Sequence, residues 1–176
     1  MLLVCTCNPA GEGATYNGLY YKQDELQAMV ASGALKGIPV KTEHTGSEVG
    51  RVVSSFIDGS GALQCVMEVD ENTVEGSIAG GFVRDGITAD LSLGYTVDVQ
   101  HSDDRLRAGH KNLLEISLVR KGARRGCHIS AYEGPVGGVV YAVPRRDAWA
   151  CFDMRGGSPP LAATCGTAAG AEAGRF

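Results

Sequence analysis

The sequence predicts a mainly β fold with inserted helices (α+β), in which an antiparallel sheet closes, or nearly closes, into a barrel with helical crossovers. Three observations lead to this prediction. At least six short segments have strand-like patterns, two of them are joined by a strong hairpin signal, and two helical patterns are inserted between strands. A chain of 176 residues is long enough for one such domain with a full core.

The N-terminal part contains two predicted strands with a helix between them. Residues 1–7 are apolar and predict a strand that is buried on both faces. Residues 23–32 have apolar side chains at helical spacing, acidic residues in the first turn and glycines beyond the end, so they predict a short amphipathic helix. Residues 38–44 predict an extended segment ending at His44, because Pro39 biases its predecessor away from the helical region.

A hairpin is predicted next. Two β-rich runs, residues 49–56 and 62–69, are separated by a short segment that contains Asp58 and Gly59. An Asp-Gly pair between two strand-like runs is a strong hairpin signal, because both residues tolerate the positive φ angles of a tight turn.

The second predicted helix begins at a capping box. Asn72 supplies the N-cap acceptor, and Glu75 follows three positions later. We expect the helix to run toward Arg84, despite the cost of its internal glycines, and to end at Gly86.

The remaining β segments lie in the C-terminal half, where a basic turn over residues 121–126 separates the second from the third. These segments are residues 87–97, 112–120, 127–132 and 139–143, the last of which is either a strand or a partner-binding segment. We predict a folded domain over residues 1–150 and a disordered tail over residues 151–176, because sixteen of the last 21 residues are Gly, Ala, Pro, Ser or Thr.

Composition narrows the possible functions. The net charge of −4 gives no reason to expect nucleic-acid binding, and the apolar runs are too short to span a membrane. The six cysteines include no Cys-x-x-Cys pair, and no secretory signal is recognised, so we expect reduced thiols and no metal. No phosphate-binding glycine loop is present, and no cofactor is expected.

Ser92 is the candidate around which a site can be assembled. It occupies the polar face of the predicted strand over residues 87–97, and Gly94 beside it would let another backbone or a substrate approach closely. Taken alone, Ser92 is better explained as an exposed serine on a sheet face. The functional interpretation depends on what other residues the chain supplies.

An activated serine needs a base, a group that orients the base, and donors for the oxyanion. His44 at a strand end is the candidate base. Glu115 or His110 could orient it, and Arg124 and Arg125, with the amides of the glycine-rich turn, could supply the oxyanion donors.

Taken in order, these segments resemble the herpesvirus capsid maturation protease, assemblin, and the related prohead proteases of tailed phages. The similar stretches are Ile-Pro-Val-Lys-Thr-Glu-His, Leu-Ser-Leu-Gly-Tyr and Arg-Arg-Gly-Cys-His-Ile-Ser-Ala-Tyr, within residues 35–132. The resemblance implies a serine endopeptidase on an orthogonally packed antiparallel β barrel flanked by helices. It also implies Ser92 as the nucleophile, His44 as the general base, and Arg124 and Arg125 as oxyanion ligands, one through its backbone amide and one through a water held by its side chain.

The third catalytic residue has two candidates. Assemblins use a second histidine, for which His110 is the candidate, whereas the Leu-Leu-Glu-Ile-Ser-Leu-Val run resembles the phage version with a carboxylate, Glu115. We favour Glu115, because a carboxylate orients and stabilises a charged imidazole better than a neutral histidine does.

The resemblance further implies a capsid scaffold protein as substrate, a possible homodimer, and a location inside the virion or procapsid, within the host nucleus or cytoplasm during assembly. Residues 161–164 are similar to the sites that such enzymes cut, which predicts self-cleavage near Ala163. The main alternative is a catalytically inactive barrel of the same fold that binds scaffold or capsid protein. A thiol mechanism using Cys127 and His128 is disfavoured, because adjacent residues of a strand point to opposite faces.

Overall fold

More of the described residues lie in strands than in helices. The computed structural model describes residues 1–11, 21–97, 111–134 and 138–144. Within these residues, eight strands and two helices follow one another, which confirms the prediction of a mainly β fold with two inserted helices. They are β1 (Leu2–Asn8), α1 (Gln23–Ala31), β2 (Pro39–Thr42), β3 (Glu48–Ile57), β4 (Leu63–Val69), α2 (Val74–Arg84), β5 (Asp90–Val97), β6 (Lys111–Val119), β7 (His128–Glu133) and β8 (Val140–Ala142).

Seven of the strands close into a barrel. The sheet has the order β1-β4-β3-β2-β6-β5-β7-β8, and β1 also pairs with β7, so that β8 is an addition to the β7 edge. The pairing between β5 and β7 is short. Asp90 pairs with His128, and the amide of Leu91 donates to the Cys127 carbonyl at 3.2 Å. The predicted closed barrel is confirmed.

One pairing corrects the prediction of a wholly antiparallel barrel. Strands β2 and β6 run parallel, with Val40 opposite Ile116 and Thr42 opposite Leu118. A hairpin forces its two strands to be antiparallel, whereas β2 and β6 are joined through β3, β4, α2 and β5 and are free of that constraint.

The barrel interior is filled by apolar side chains from alternate strand positions. The fully buried ones include Leu3, Val40, Val52, Met67, Leu91, Ile116 and Ile129. Strand β1 corrects the prediction of burial on both faces, since Leu2 and Val4 are each 37% exposed. These two side chains alternate with the core-facing Leu3 and Cys5, and therefore lie on the outer surface of the barrel.

The predicted hairpin joins β3 to β4, and both strands agree with the sequence prediction. Its turn is organised by the Asp58 carboxylate, which accepts hydrogen bonds from the amide and hydroxyl of Ser60, at 2.8 and 2.6 Å, and from the amide of Ala62 at 3.0 Å. Gly61 completes the turn at a φ of 90°, a conformation that favours glycine.

Helix α2 begins one residue later than predicted. Its N-cap is Thr73, whose hydroxyl oxygen accepts from the Gly76 amide at 3.0 Å. Asn72 is not the N-cap because its amide and side-chain nitrogens both donate to Asp70 Oδ1. The helix ends at Arg84, two residues before the predicted end at Gly86.

Some predictions fall on residues outside the described ranges. These are the loop that contains His110, the tail over residues 151–176 and the boundary at residue 150. In the described ranges, no helix is both long enough and apolar enough to cross a membrane.

Candidate active site

His44 lies in a tight turn that is fixed to the end of β6. The residue before it, Glu43, has a φ of 45°, and its amide donates to the Leu118 carbonyl at 3.1 Å. The Glu43 carbonyl in turn accepts from the Gly46 amide at 3.1 Å. A left-handed conformation costs a non-glycine residue about 1–2 kcal/mol. These bonds hold the turn in that conformation and leave the His44 side chain 48% exposed.

A chain of hydrogen bonds connects Ser92 to the barrel wall through the His44 ring. Nε2 of His44 lies 2.8 Å from Ser92 Oγ, and Nδ1 lies 2.6 Å from Oε1 of Glu115. The second carboxylate oxygen of Glu115 accepts from the Ser117 hydroxyl at 2.7 Å. Ser92 and Glu115 are each only 7% exposed, and Ser117 is fully buried.

The register of β5 against β6 explains why these groups meet. Ser92 lies opposite Ser117, and Gly94 lies opposite Glu115. Because alternate residues of a strand share a face, all four project from the same side of the sheet. The parallel pairing of Lys41 with Ser117 then brings the end of β2, and the turn that carries the histidine, to this side.

Gly94 has a different role from the one predicted. A Cβ atom at this position would overlap the Glu115 side chain, including Oε1 and Cδ. The group that needs the space is therefore the Glu115 carboxylate, and not a substrate or another backbone.

The hydrogen bonds determine the protonation of the neutral imidazole. A carboxylate can only accept, so the proton between His44 and Glu115 belongs to Nδ1 of the histidine. Nε2 is then an acceptor for the Ser92 hydroxyl. This tautomer can remove the hydroxyl proton when Ser92 attacks an electrophile.

A groove of about 830 Å³ runs past this site. Its walls include His44, Ser92 and Asp90, together with the basic turn over residues 121–126. The turn is held against β5 by Asp90, whose Oδ2 accepts from the Gly122 amide at 3.0 Å. The amides of residues 123–125 donate no hydrogen bond within the part of the chain that the structure describes. Backbone amides of this kind are groups that can donate to an oxyanion.

The two arginines of the turn differ in their surroundings. Arg124 is 6% exposed, and its guanidinium binds Asn8 Oδ1 and, at 3.1 Å, the Gly11 carbonyl. Burial lowers the pKa of this guanidinium. Its side chain anchors the turn to the end of β1, while the Arg125 side chain is exposed at the groove.

A second serine–histidine contact lies nearby, and in it the other ring nitrogen contacts a carbonyl oxygen and not a carboxylate. His128 Nε2 is 3.2 Å from the Ser130 hydroxyl, and Nδ1 lies 2.8 Å from the Gly126 carbonyl oxygen. Ser130 is exposed on β7, and neither it nor His128 lines the groove that contains Ser92. This pair serves as an internal comparison for the pair formed by Ser92 and His44.

The described cysteines are buried free thiols: Cys5, Cys7, Cys65 and Cys127. The Cys127 thiol donates to the Cys7 carbonyl at 2.9 Å, and burial raises the pKa of Cys127 to about 11. His128 is bonded elsewhere, so a Cys127–His128 nucleophile is disfavoured by the geometry. Among the described residues, no group of three or more His, Cys, Asp or Glu side chains is placed to hold a metal ion.

Two site residues were not anticipated from the sequence. Ser117 lies two positions after Glu115 on the same strand face, so period-two alternation alone could have placed it beside the carboxylate. Asn8, which binds Arg124, carries no comparable signal, because the two residues are 116 positions apart.

A comparison of the chain with models of known protein families and with curated proteins gives no match in either case. The functional assignment therefore depends on the geometry of the site.

Proposed function

We propose that the protein is a serine endopeptidase in which Ser92 is the nucleophile, His44 the general base and Glu115 the residue that orients the base. One observation supports this above all. The His44 ring is bonded through one nitrogen to the Ser92 hydroxyl and through the other to the Glu115 carboxylate. Nucleophile, base and orienting acid in hydrogen-bond contact are what acyl transfer by serine requires.

In the proposed reaction, Ser92 Oγ attacks the carbonyl carbon of the scissile peptide bond while its proton passes to Nε2 of His44. The imidazolium that forms is stabilised by Glu115, which stays ionised and is held in place by Ser117. The tetrahedral intermediate collapses when His44 donates this proton to the leaving amine. An ester with Ser92 remains, and water activated by the same histidine hydrolyses it.

The basic turn is the proposed oxyanion site. The Arg124 side chain is already hydrogen-bonded to Asn8 and Gly11. Of the two arginines, Arg124 is therefore the one assigned to bind the oxyanion through its backbone amide. Arg125, exposed at the groove, then holds the water. Removing one such donor typically costs about 2.7–4 kcal/mol of transition-state stabilisation.

We further propose that this activity is of the capsid or prohead maturation type. Under this proposal the barrel is assemblin-like, with orthogonal packing, and the substrate is an internal scaffold protein cleaved inside the procapsid, in the host nucleus or cytoplasm. Support comes from the closed barrel, the order of His44, Ser92 and the basic turn along the chain, and the carboxylate at the third position. A homodimer is compatible with this role.

The test is labelling with a fluorophosphonate probe at high protein concentration in a kosmotropic salt, which favours association. The probe should modify the unaltered protein stoichiometrically and leave Ser92→Ala unmodified. Ser130→Ala is the matched control, because it removes the other serine in contact with a histidine, and it should label like the unaltered protein.

Labelling that persists in Ser92→Ala and disappears in Ser130→Ala would show that the nucleophile is Ser130 and not Ser92. Absence of labelling in the unaltered protein under all conditions would favour an inactive barrel that binds scaffold or capsid protein.

A further inference from the structure

A small cavity of about 50 Å³ adjoins the proposed nucleophile. It shares Ser92, Ala123 and Arg124 with the groove. The other walls come from Tyr21 and from residues of β5 and its neighbours, including Leu93 and Cys127.

Among the described residues, two polar atoms of the side chains that line this cavity have no hydrogen-bond partner. They are the Tyr21 hydroxyl and Nε of Arg124, and both are buried without a hydrogen bond within the described structure. Tyr21 is 5% exposed and Arg124 is 6% exposed. Leaving a buried polar group without a partner is unfavourable, which is why such groups are rare in folded proteins.

Both unpaired groups can donate a hydrogen bond, so they favour a ligand atom that accepts one. Arg124 Nε carries a proton and can only donate. Burial raises the pKa of the Tyr21 phenol far above its ordinary value, so its oxygen remains a hydroxyl that can donate at any physiological pH. In the described residues, the Arg124 guanidinium makes no ion pair with a carboxylate, and an oxygen atom in the cavity would face an uncompensated positive charge.

We propose that this cavity binds the side chain of the substrate residue whose carbonyl carbon Ser92 attacks, and that it selects a small side chain bearing an oxygen acceptor, such as serine. The inference rests on the proposed peptidase function. A volume of 50 Å³ is little more than the roughly 30 Å³ that one water molecule occupies in the liquid, so it accepts a hydroxymethyl group and excludes leucine. Tyr21 and Arg124 are then residues that determine specificity.

The test uses diphenyl phosphonate probes that are identical except for a side chain of serine, alanine or leucine at the reacting position. Ser92 Oγ attacks phosphorus, its proton passes to His44, and one phenoxide leaves. The measured quantity is the second-order rate constant of modification, followed by intact mass. We expect the serine probe to react about tenfold faster than the alanine probe, as one hydrogen bond to a buried donor allows, and the leucine probe to be the slowest.

Tyr21→Phe removes only the hydroxyl and should reduce the serine-to-alanine ratio about fivefold. Tyr141→Phe is the matched control, because Tyr141 stacks on Tyr132 at the β7–β8 edge, away from the cavity. The serine-to-alanine ratio of this variant should equal that of the unaltered protein.

A serine-to-alanine ratio near one, or a ratio that Tyr21→Phe leaves unchanged, would overturn the inference and show that the cavity holds water only. Failure of the proposed function has a different result. The fluorophosphonate probe, which carries no such side chain, would then fail to modify the unaltered protein, and both proposals would be overturned together.

Discussion

Gly94 lies opposite Glu115 on the neighbouring strand, and the Glu115 carboxylate occupies the space that a Cβ atom at position 94 would fill. This arrangement lets the carboxylate lie against the sheet with one oxygen directed to Nδ1 of His44 and the other bonded to Ser117. The position of the base therefore depends on a residue that has no side chain.

Gly94→Ala should disturb the site more than the fold. The added methyl group overlaps Glu115, which must rotate away from His44 or push β5 and β6 apart. We expect a loss of about 1–3 kcal/mol in the free energy of unfolding, as for other overpacked sites, together with a large fall in the rate of Ser92 labelling. Urea unfolding and labelling kinetics measure the two effects separately.

The control for this substitution is Gly81→Ala in α2. No atom lies within 4 Å of a Cβ built at this position, and alanine is the better helix former by about 1 kcal/mol. Gly81→Ala should therefore have an equal or higher urea midpoint, and its Ser92 should be labelled at the rate of the unaltered protein. Normal labelling of Gly94→Ala would show that Glu115 does not need to lie where the structure places it.

Glu115→Gln keeps the size of the side chain and removes its charge. A glutamine amide can donate to Nδ1, which would stabilise the imidazole tautomer that cannot accept the Ser92 proton. By analogy with other triads, kcat should fall by about 10³–10⁴. His110→Ala tests the alternative third residue and should retain activity. The opposite result, with only His110→Ala inactive, would assign the third role to the histidine.

The overall fold was predictable from the sequence because its signals are local. The period-two runs, the Asp-Gly turn and the helical spacing each depend on residues close in the chain, and both predicted helices and the closed barrel are found. The parallel β2–β6 pairing has no local signal. It follows from how the barrel closes, and depends on contacts between residues about 76 positions apart, such as Val40 and Ile116.

The candidate site was predictable in part, for the same reason. Ser92, His44 and Glu115 were chosen for the chemistry of their side chains, and the structure brings these three into contact. The anchoring of Arg124 by Asn8 depends on the meeting of β1 with the basic turn, a contact that no spacing in the sequence indicates.

Self-cleavage in the tail is a separate test of the proposed activity. Under the proposed capsid-maturation function, residues 161–164 are a candidate cleavage site, and a small-residue segment is a favourable substrate for a peptidase. Intact mass spectrometry of purified protein should show a species shortened near Ala163 that is absent from Ser92→Ala. One identical intact mass in both preparations would show that this site is not cut.

The Asp58 turn predicts how stability depends on pH. Hydrogen bonds lower the pKa of Asp58 to about 2, the largest effect coming from the Ser60 hydroxyl, followed by the Gln64 side chain and the Ala62 amide. The pKa in the unfolded chain is about 3.9. Because the pKa is lower in the folded state, the stabilisation is complete above about pH 4 and is lost as the pH falls toward 2.

Asp58→Asn should therefore weaken the dependence of the urea midpoint on pH between pH 6 and pH 2.5, because the variant has no carboxyl group at this position to protonate. If Asp58→Asn keeps the pH dependence of the unaltered protein over this interval, the hairpin turn does not depend on an ionised Asp58.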